Sequence, residues 1–174
     1  MEFEAMPGSI GGIERVDAEI TAIMPVYNAG EHLRKALDCV LAQDFTSYKL
    51  YCMDDCSDDG SYQVLLEYQK KDERIQVFSN SKRMGAAYTR NFGLKLVDTK
   101  YVKFLDADGE FLRHPFCFEQ LSIENQLRTT NVPWGFMIRS AFLKEQSLEF
   151  QSLPSRNDVY FLEMAKMLSV NMGQ

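Results

Sequence analysis

Apolar residues recur along this chain in short runs that alternate with stretches of helical spacing. Ile20-Thr-Ala-Ile-Met24 is a brief run closed by Pro25, the profile of a strand buried on both faces. After the turn Tyr27-Asn-Ala-Gly30, residues Leu33, Ala36, Leu37, Val40 and Leu41 fall on one stripe of a helix. The unit then repeats. Leu50-Tyr-Cys-Met53 predicts a second strand ending in Asp54-Asp55, and the turn Ser57-Asp-Asp-Gly60 feeds a helix that buries Val64, Leu65 and Tyr68. Ile75-Gln-Val-Phe78 is a third strand, Ala86 to Val97 a third helix, and Tyr101 to Leu105 a fourth strand. Alternation over such short connections predicts a doubly wound, mostly parallel α/β sheet with helices on both faces and right-handed crossovers.

Beyond Asp108 the pattern changes. Phe116 to Leu127 reads as a helix with Pro115 in its first turn, and Trp134-Gly-Phe-Met-Ile138 as a strand. A short helix over Ala141 to Gln146 and an extended piece, Leu148-Glu-Phe150, follow. A last helix runs from about Asp158 to Ser169 and buries Phe161, Leu162, Ala165 and Leu168. Residues 1–18 are acidic, Gly-containing and aperiodic, and read as a flexible leader.

Composition narrows the partners. A chain of 174 residues holds one domain with a real core, and 45% hydrophobic with 25% charged residues is the balance of a soluble globular protein. A net charge of −6 argues against a nucleic-acid partner and for one reached through metal ions or local basic groups. No apolar run approaches a membrane span and no secretory signal opens the chain. Cys39, Cys52, Cys56 and Cys117 show no paired spacing, so reduced thiols in the cytosol are expected.

Three polar clusters sit where strands end: Pro25-Val-Tyr-Asn28, Asp54-Asp55 with its turn, and Asp106-Ala-Asp108. In open parallel sheets, ligands bind outside the carboxyl ends of the strands. Two carboxylates one residue apart repel each other unless a cation sits beside them, so Asp106 and Asp108 suit a divalent metal carrying an anion. Each cluster also has a plain reading. Pro25 to Asn28 can be a strand stop and turn, Asp54 or Asp55 can cap a helix, and Asp108-Gly109 can be a turn. Gly85-Ala-Ala-Tyr-Thr-Arg-Asn91 places small residues at a helix start, where anions are favoured. Arg90, taken alone, reads as a solvated helix charge. His32 and His114 read as surface or loop histidines, and Trp134 as either a core aromatic or a sugar-stacking platform.

As a set, ITAIMPVYN (20–28), DDCSDDGS (54–61), GAAYTRNFG (85–93) and FLDADGEF (104–111) resemble family 2 inverting glycosyltransferases of the GT-A fold. In the tail, VPWGFMIRSAFLKEQSLEF (132–150) and SRNDVYF (155–161) are similar to the acceptor half of bacterial surface-glycan members. The resemblance implies a nucleotide-sugar-binding half over 19–111 and a shortened acceptor-side half of the same domain over 112–174. It implies a base pocket lined by Pro25, Tyr27 and Asp55, with Asp55 accepting from a base N–H of uracil and Asp54 beside it among the donor-binding residues. Arg90 falls near the donor phosphates or sugar, and Asp106 at the ribose or the metal shell. Asp108 ligates the metal, Mg²⁺ or Mn²⁺, and Asp158 is the catalytic base.

The implied activity is metal-dependent sugar transfer, with inversion, from a nucleotide-sugar donor (a UDP-sugar) to a glycan or lipid-linked glycan acceptor. The implied location is the cytoplasm, with peripheral membrane association through the acceptor. Gly109 stands where the family commonly has another polar residue, and the stretch from Phe111 to Asn157 is shorter than usual. A catalytically degenerate nucleotide-sugar-binding module is therefore the alternative reading.

Overall fold

The computed structural model describes residues 18–107, 137–152, 161, 164 and 165. Strands β1 (Ile20–Val26), β2 (Tyr48–Asp54), β3 (Ile75–Ser79), β4 (Tyr101–Phe104) and β5 (Met137–Arg139) form one sheet in the order β3-β2-β1-β4-β5. The first four are parallel, and β5 runs antiparallel to β4. Helices α1 (His32–Leu41), α2 (Ser61–Gln69), α3 (Ala86–Lys95) and α4 (Ser140–Glu145) connect or follow them. The doubly wound α/β expectation holds.

Strand alternation sorts the core into two layers. Ala22, Met24, Leu50, Cys52 and Leu105 pack against Leu33, Leu37 and Val40 of α1 and Leu65 of α2. Ile23, Tyr51, Met53, Val102 and Phe104 face Ala87 of α3 and Leu143 of α4 on the other side. Every residue of β2 is buried, as a central strand covered on both faces requires. After β3 the chain crosses back beneath the sheet through α3 and resumes at β4, beside β1. Strand order therefore reverses between β1 and β4, and the crevice at that reversal opens at their carboxyl ends.

Boundaries moved in instructive ways. β1 continues through Pro25 to Val26. The carbonyl of Ile23 accepts from Leu105 on the β4 side, and that of Val26 accepts from Asp55 on the β2 side. By the two-residue period, Pro25 faces β4 beyond the end of their ladder, so its missing N–H leaves no bond unmade. Leu148–Phe150 carries no regular structure, and the helix after β5 begins one residue early, at Ser140. Of the last predicted helix, residues 161, 164 and 165 are helical, with Phe161 and Ala165 buried. Residues 1–17 of the leader predicted over 1–18, the helix over 116–127, Trp134, His114 and Cys117 lie outside the described residues.

Candidate functional site

The carboxyl ends of β1, β2 and β4 carry the polar clusters singled out from the sequence, and hydrogen bonds lash the first two loops together. Asn28 and Asp58 bond reciprocally: the Asn28 amide donates to Asp58 Oδ1 at 2.8 Å, and the Asp58 N–H donates to Asn28 Oδ1 at 3.0 Å. Gly30 N–H donates to Asp59 Oδ2 at 2.9 Å and Ala29 N–H to Ser61 Oγ at 3.1 Å. The Ser61 hydroxyl beside Asp59 holds its carboxyl below the usual range. Asn28 takes φ 47°, a left-handed conformation that its short amide tolerates while bonding across the gap.

Tyr27 projects from this floor. It is the large hydrophobic side chain left exposed among the described residues, at 40%, and the Arg83 guanidinium lies 4.0 Å from its ring centroid. Pro25, one turn of strand below, is half-buried.

The adjacent carboxylates at the end of β2 point to opposite faces. Asp55 reaches toward the start of α3, where its Oδ2 accepts the Gly85 N–H at 2.7 Å and its Oδ1 accepts Met84 N–H at 2.8 Å and Asn80 Nδ2 at 2.7 Å. Three of the roughly four lone-pair positions of a carboxylate are thus used inside the protein, leaving about one for a ligand. Gly85 has φ 89°, which lets the backbone turn its amide onto Asp55 before the helix begins. Asp54 instead accepts Ser79 Oγ at 3.1 Å and Ser57 N–H at 3.3 Å through Oδ2. Its Oδ1 is buried without a donor among the described residues. Neither carboxylate caps α2, whose N-cap is Gly60.

Arg90 is not the solvated helix charge that it reads as in isolation: it is 5% exposed and donates from Nη2 to Asp106 Oδ1 at 3.0 Å. A desolvated guanidinium needs a carboxylate partner, and β4 delivers one because Asp106 follows directly on the buried Phe104-Leu105. Asp106 keeps 28% of its side chain exposed. His32 is exposed, as expected.

Asp108 and Asp158 lie outside the described residues. Among the described residues no group of three or more His, Cys, Asp or Glu is arranged to hold a metal. Mg²⁺-type sites need only one or two carboxylates completed by phosphate oxygens and water, and the partly exposed Asp106 carboxylate fits that donor set. No described helix is long and apolar enough to cross a membrane.

Several residues at the site carried no sequence signal. Asn80 is the exception: it follows directly on the end of β3, as Asp55 does on β2, and that position is a usable clue. Asn91 and Phe150, which bond each other across 59 residues of sequence, offered none.

Comparison with known proteins follows the same outline. The family model described as Glycosyl transferase family 2 matches residues 21–132. The UDP-Glc:alpha-D-GlcNAc-diphosphoundecaprenol beta-1,3-glucosyltransferase of Escherichia coli is 35% identical over 92 residues, which are 53% of this chain and 36% of that protein. Residues 1–349 of S. aureus TarS in complex with UDP-GlcNAc superpose with a TM-score of 0.70 at 22% identity, covering 84% of this chain and 53% of that fragment. A mannosyltransferase from Pyrobaculum calidifontis in complex with GDP-Man and Mn²⁺ gives 0.68 at 18% identity, covering 86% and 52%. At these identities the two structures establish the fold. The chain spans less than half the length of curated relatives that it matches.

Proposed function

The chain belongs to glycosyl transferase family 2, and from that premise we propose that it transfers a sugar from a UDP-sugar to a glycan acceptor. One observation carries the reading. Tyr27, the Asp54-Asp55 pair and the Arg90–Asp106 ion pair converge on one rim, at the point where strand order reverses. The Escherichia coli relative is named for a UDP-glucose donor and a diphosphoundecaprenol-linked acceptor, which supports a uridine nucleotide and a lipid-linked glycan here. Peripheral association with the cytoplasmic membrane face would follow from such an acceptor.

The residues divide the work. Pro25 and Tyr27 wall the base pocket, with Tyr27 supplying an exposed ring face for stacking. Asp55, fixed by three internal donors, offers its remaining lone pair to a base N–H. Asp106 is oriented by Arg90 toward the ribose or the metal shell. Mg²⁺ or Mn²⁺ held by Asp106 and Asp108 would stabilise the departing diphosphate as a Lewis acid. Asp158 would take the proton from the acceptor hydroxyl, on the face opposite the leaving group. General-base assistance of that kind is worth about 10²–10⁴-fold.

A thermal-shift panel of UDP- and GDP-sugars with and without Mn²⁺, followed by donor turnover, tests the proposal. A ligand that binds the folded chain alone adds about 2.7 kcal/mol of stability at a hundredfold excess over its dissociation constant. Stabilisation by UDP-sugars with donor consumption is expected. Binding without turnover would instead identify a nucleotide-sugar-binding module, and no shift with any nucleotide would contradict both.

A further inference from the structure

Phe150 lies far along the chain from the donor-side motifs, yet its ring forms one wall around Arg90. The Arg90 guanidinium carbon sits 5.3 Å from the centroid of that ring, while Nη2 donates to Asp106. The ring itself is fixed from several directions. It stacks on Phe161 at 4.0 Å and an interplanar angle of 7°, and meets Phe104 edge-on at 4.9 Å. Phe104, the last residue of β4, is two residues before Asp106, so the end of that strand positions both the carboxylate and a buttress for the ring.

The backbone is fixed as well. Asn91, the neighbour of Arg90 on α3, donates from Nδ2 to the Phe150 carbonyl at 2.8 Å and accepts the Phe150 N–H at 2.7 Å. Both polar groups of residue 150 are thereby tied to the helix that bears Arg90. Phe150 is 3% exposed.

An aromatic face attracts a guanidinium without offering a competing in-plane acceptor. The cation is thus held while its N–H edge stays directed at the carboxylate. We propose that Phe150, clamped by Asn91, is a positioning residue for Asp106 that acts through Arg90. The donor side of the site then becomes competent only when the 148–150 segment is docked on α3. This inference rests on the reading of Asp106 as a donor-site carboxylate.

Calorimetric titration of UDP with Mn²⁺ into the full chain tests it, with thermal unfolding recorded for each variant. Phe150→Leu keeps an apolar side chain but removes the ring face, and should raise the dissociation constant about tenfold. Phe150→Tyr retains the ring face and should bind within about twofold of wild type. If Phe150→Leu does not fold, Asn91→Ala decides, because it frees the backbone of residue 150 and should weaken binding by about threefold or more. Folded Leu and Ala variants that bind as wild type, beside a weakened Asp106→Asn, would overturn the positioning role and leave the donor site standing. Unchanged binding in Asp106→Asn, or no binding by wild type, would remove the donor-site reading and this inference with it.

Discussion

Asp55 and Gly85 are joined by a 2.7 Å hydrogen bond that makes the carboxylate ending β2 the anchor for the first turn of α3. With Met84 and Asn80 as further donors, the Asp55 side chain ties three chain segments together at the rim. Asp55→Ala would leave the buried Asn80 amide and the partly buried Met84 and Gly85 N–H groups without this acceptor, at about 1–3 kcal/mol for each group left unsatisfied. A loss of about 3 kcal/mol or more in urea unfolding is expected. A loss below about 1 kcal/mol would show that solvent replaces the carboxylate freely.

Gly93 predicts a packing limit on the same helix. A Cβ there would sit 2.8 Å from Ile23 Cγ2, with two further Ile23 atoms at 3.2 and 3.3 Å. Ile23 is fully buried and cannot retreat, so α3 must lift off β1. Gly93→Ala should cost about 1–3 kcal/mol, as overpacking does, read as a lower midpoint in thermal unfolding. An unchanged midpoint would mean that α3 shifts without penalty.

How far the sequence revealed this arrangement depended on what each feature needs. Strands such as Ile20–Met24 and Tyr101–Leu105 were legible because burial on both faces writes a continuous apolar run. The strand-end acids were legible because parallel topology alone brings them to one rim. Arg90 taken alone gave no sign of burial, since its partner Asp106 arrives from the end of β4 and only that approach makes burial tolerable. The Asn91 clamp on Phe150 was invisible for the same reason: any amide can bond any backbone, and contact decides which. Pro25 looked like a stop because its missing donor is harmless only where the neighbouring ladder has ended.

Lys103 carries a pH prediction. It lies on β4 in register with Ala22 and Met137, and burial lowers its ammonium from 10.5 to about 8. Between those values the unfolded chain binds a proton that the folded chain does not, so native stability rises with pH through that window. Below about pH 8 the burial penalty is fully present. Lys103→Met should therefore be more stable than wild type at pH 7, by up to about 3 kcal/mol, and the gap should narrow toward pH 10. Urea unfolding at both pH values checks this. A gap that widens with pH would contradict it.

Tyr27 separates binding from folding. With 40% of its surface exposed and its ring stacked by Arg83 at the surface, Tyr27→Ala should change stability little. Loss of a stacking platform should still weaken UDP binding by about tenfold in calorimetry. Full affinity in the variant would place the base elsewhere.

The central claim is that a nucleotide and a divalent cation meet at the carboxyl ends of β1, β2 and β4. An anomalous difference map from crystals grown with UDP and Mn²⁺ tests it most directly. A manganese peak within bonding distance of an Asp106 carboxylate oxygen is expected, with the uracil ring against Tyr27. A nucleotide bound away from this rim, or a manganese peak remote from Asp106, would contradict it.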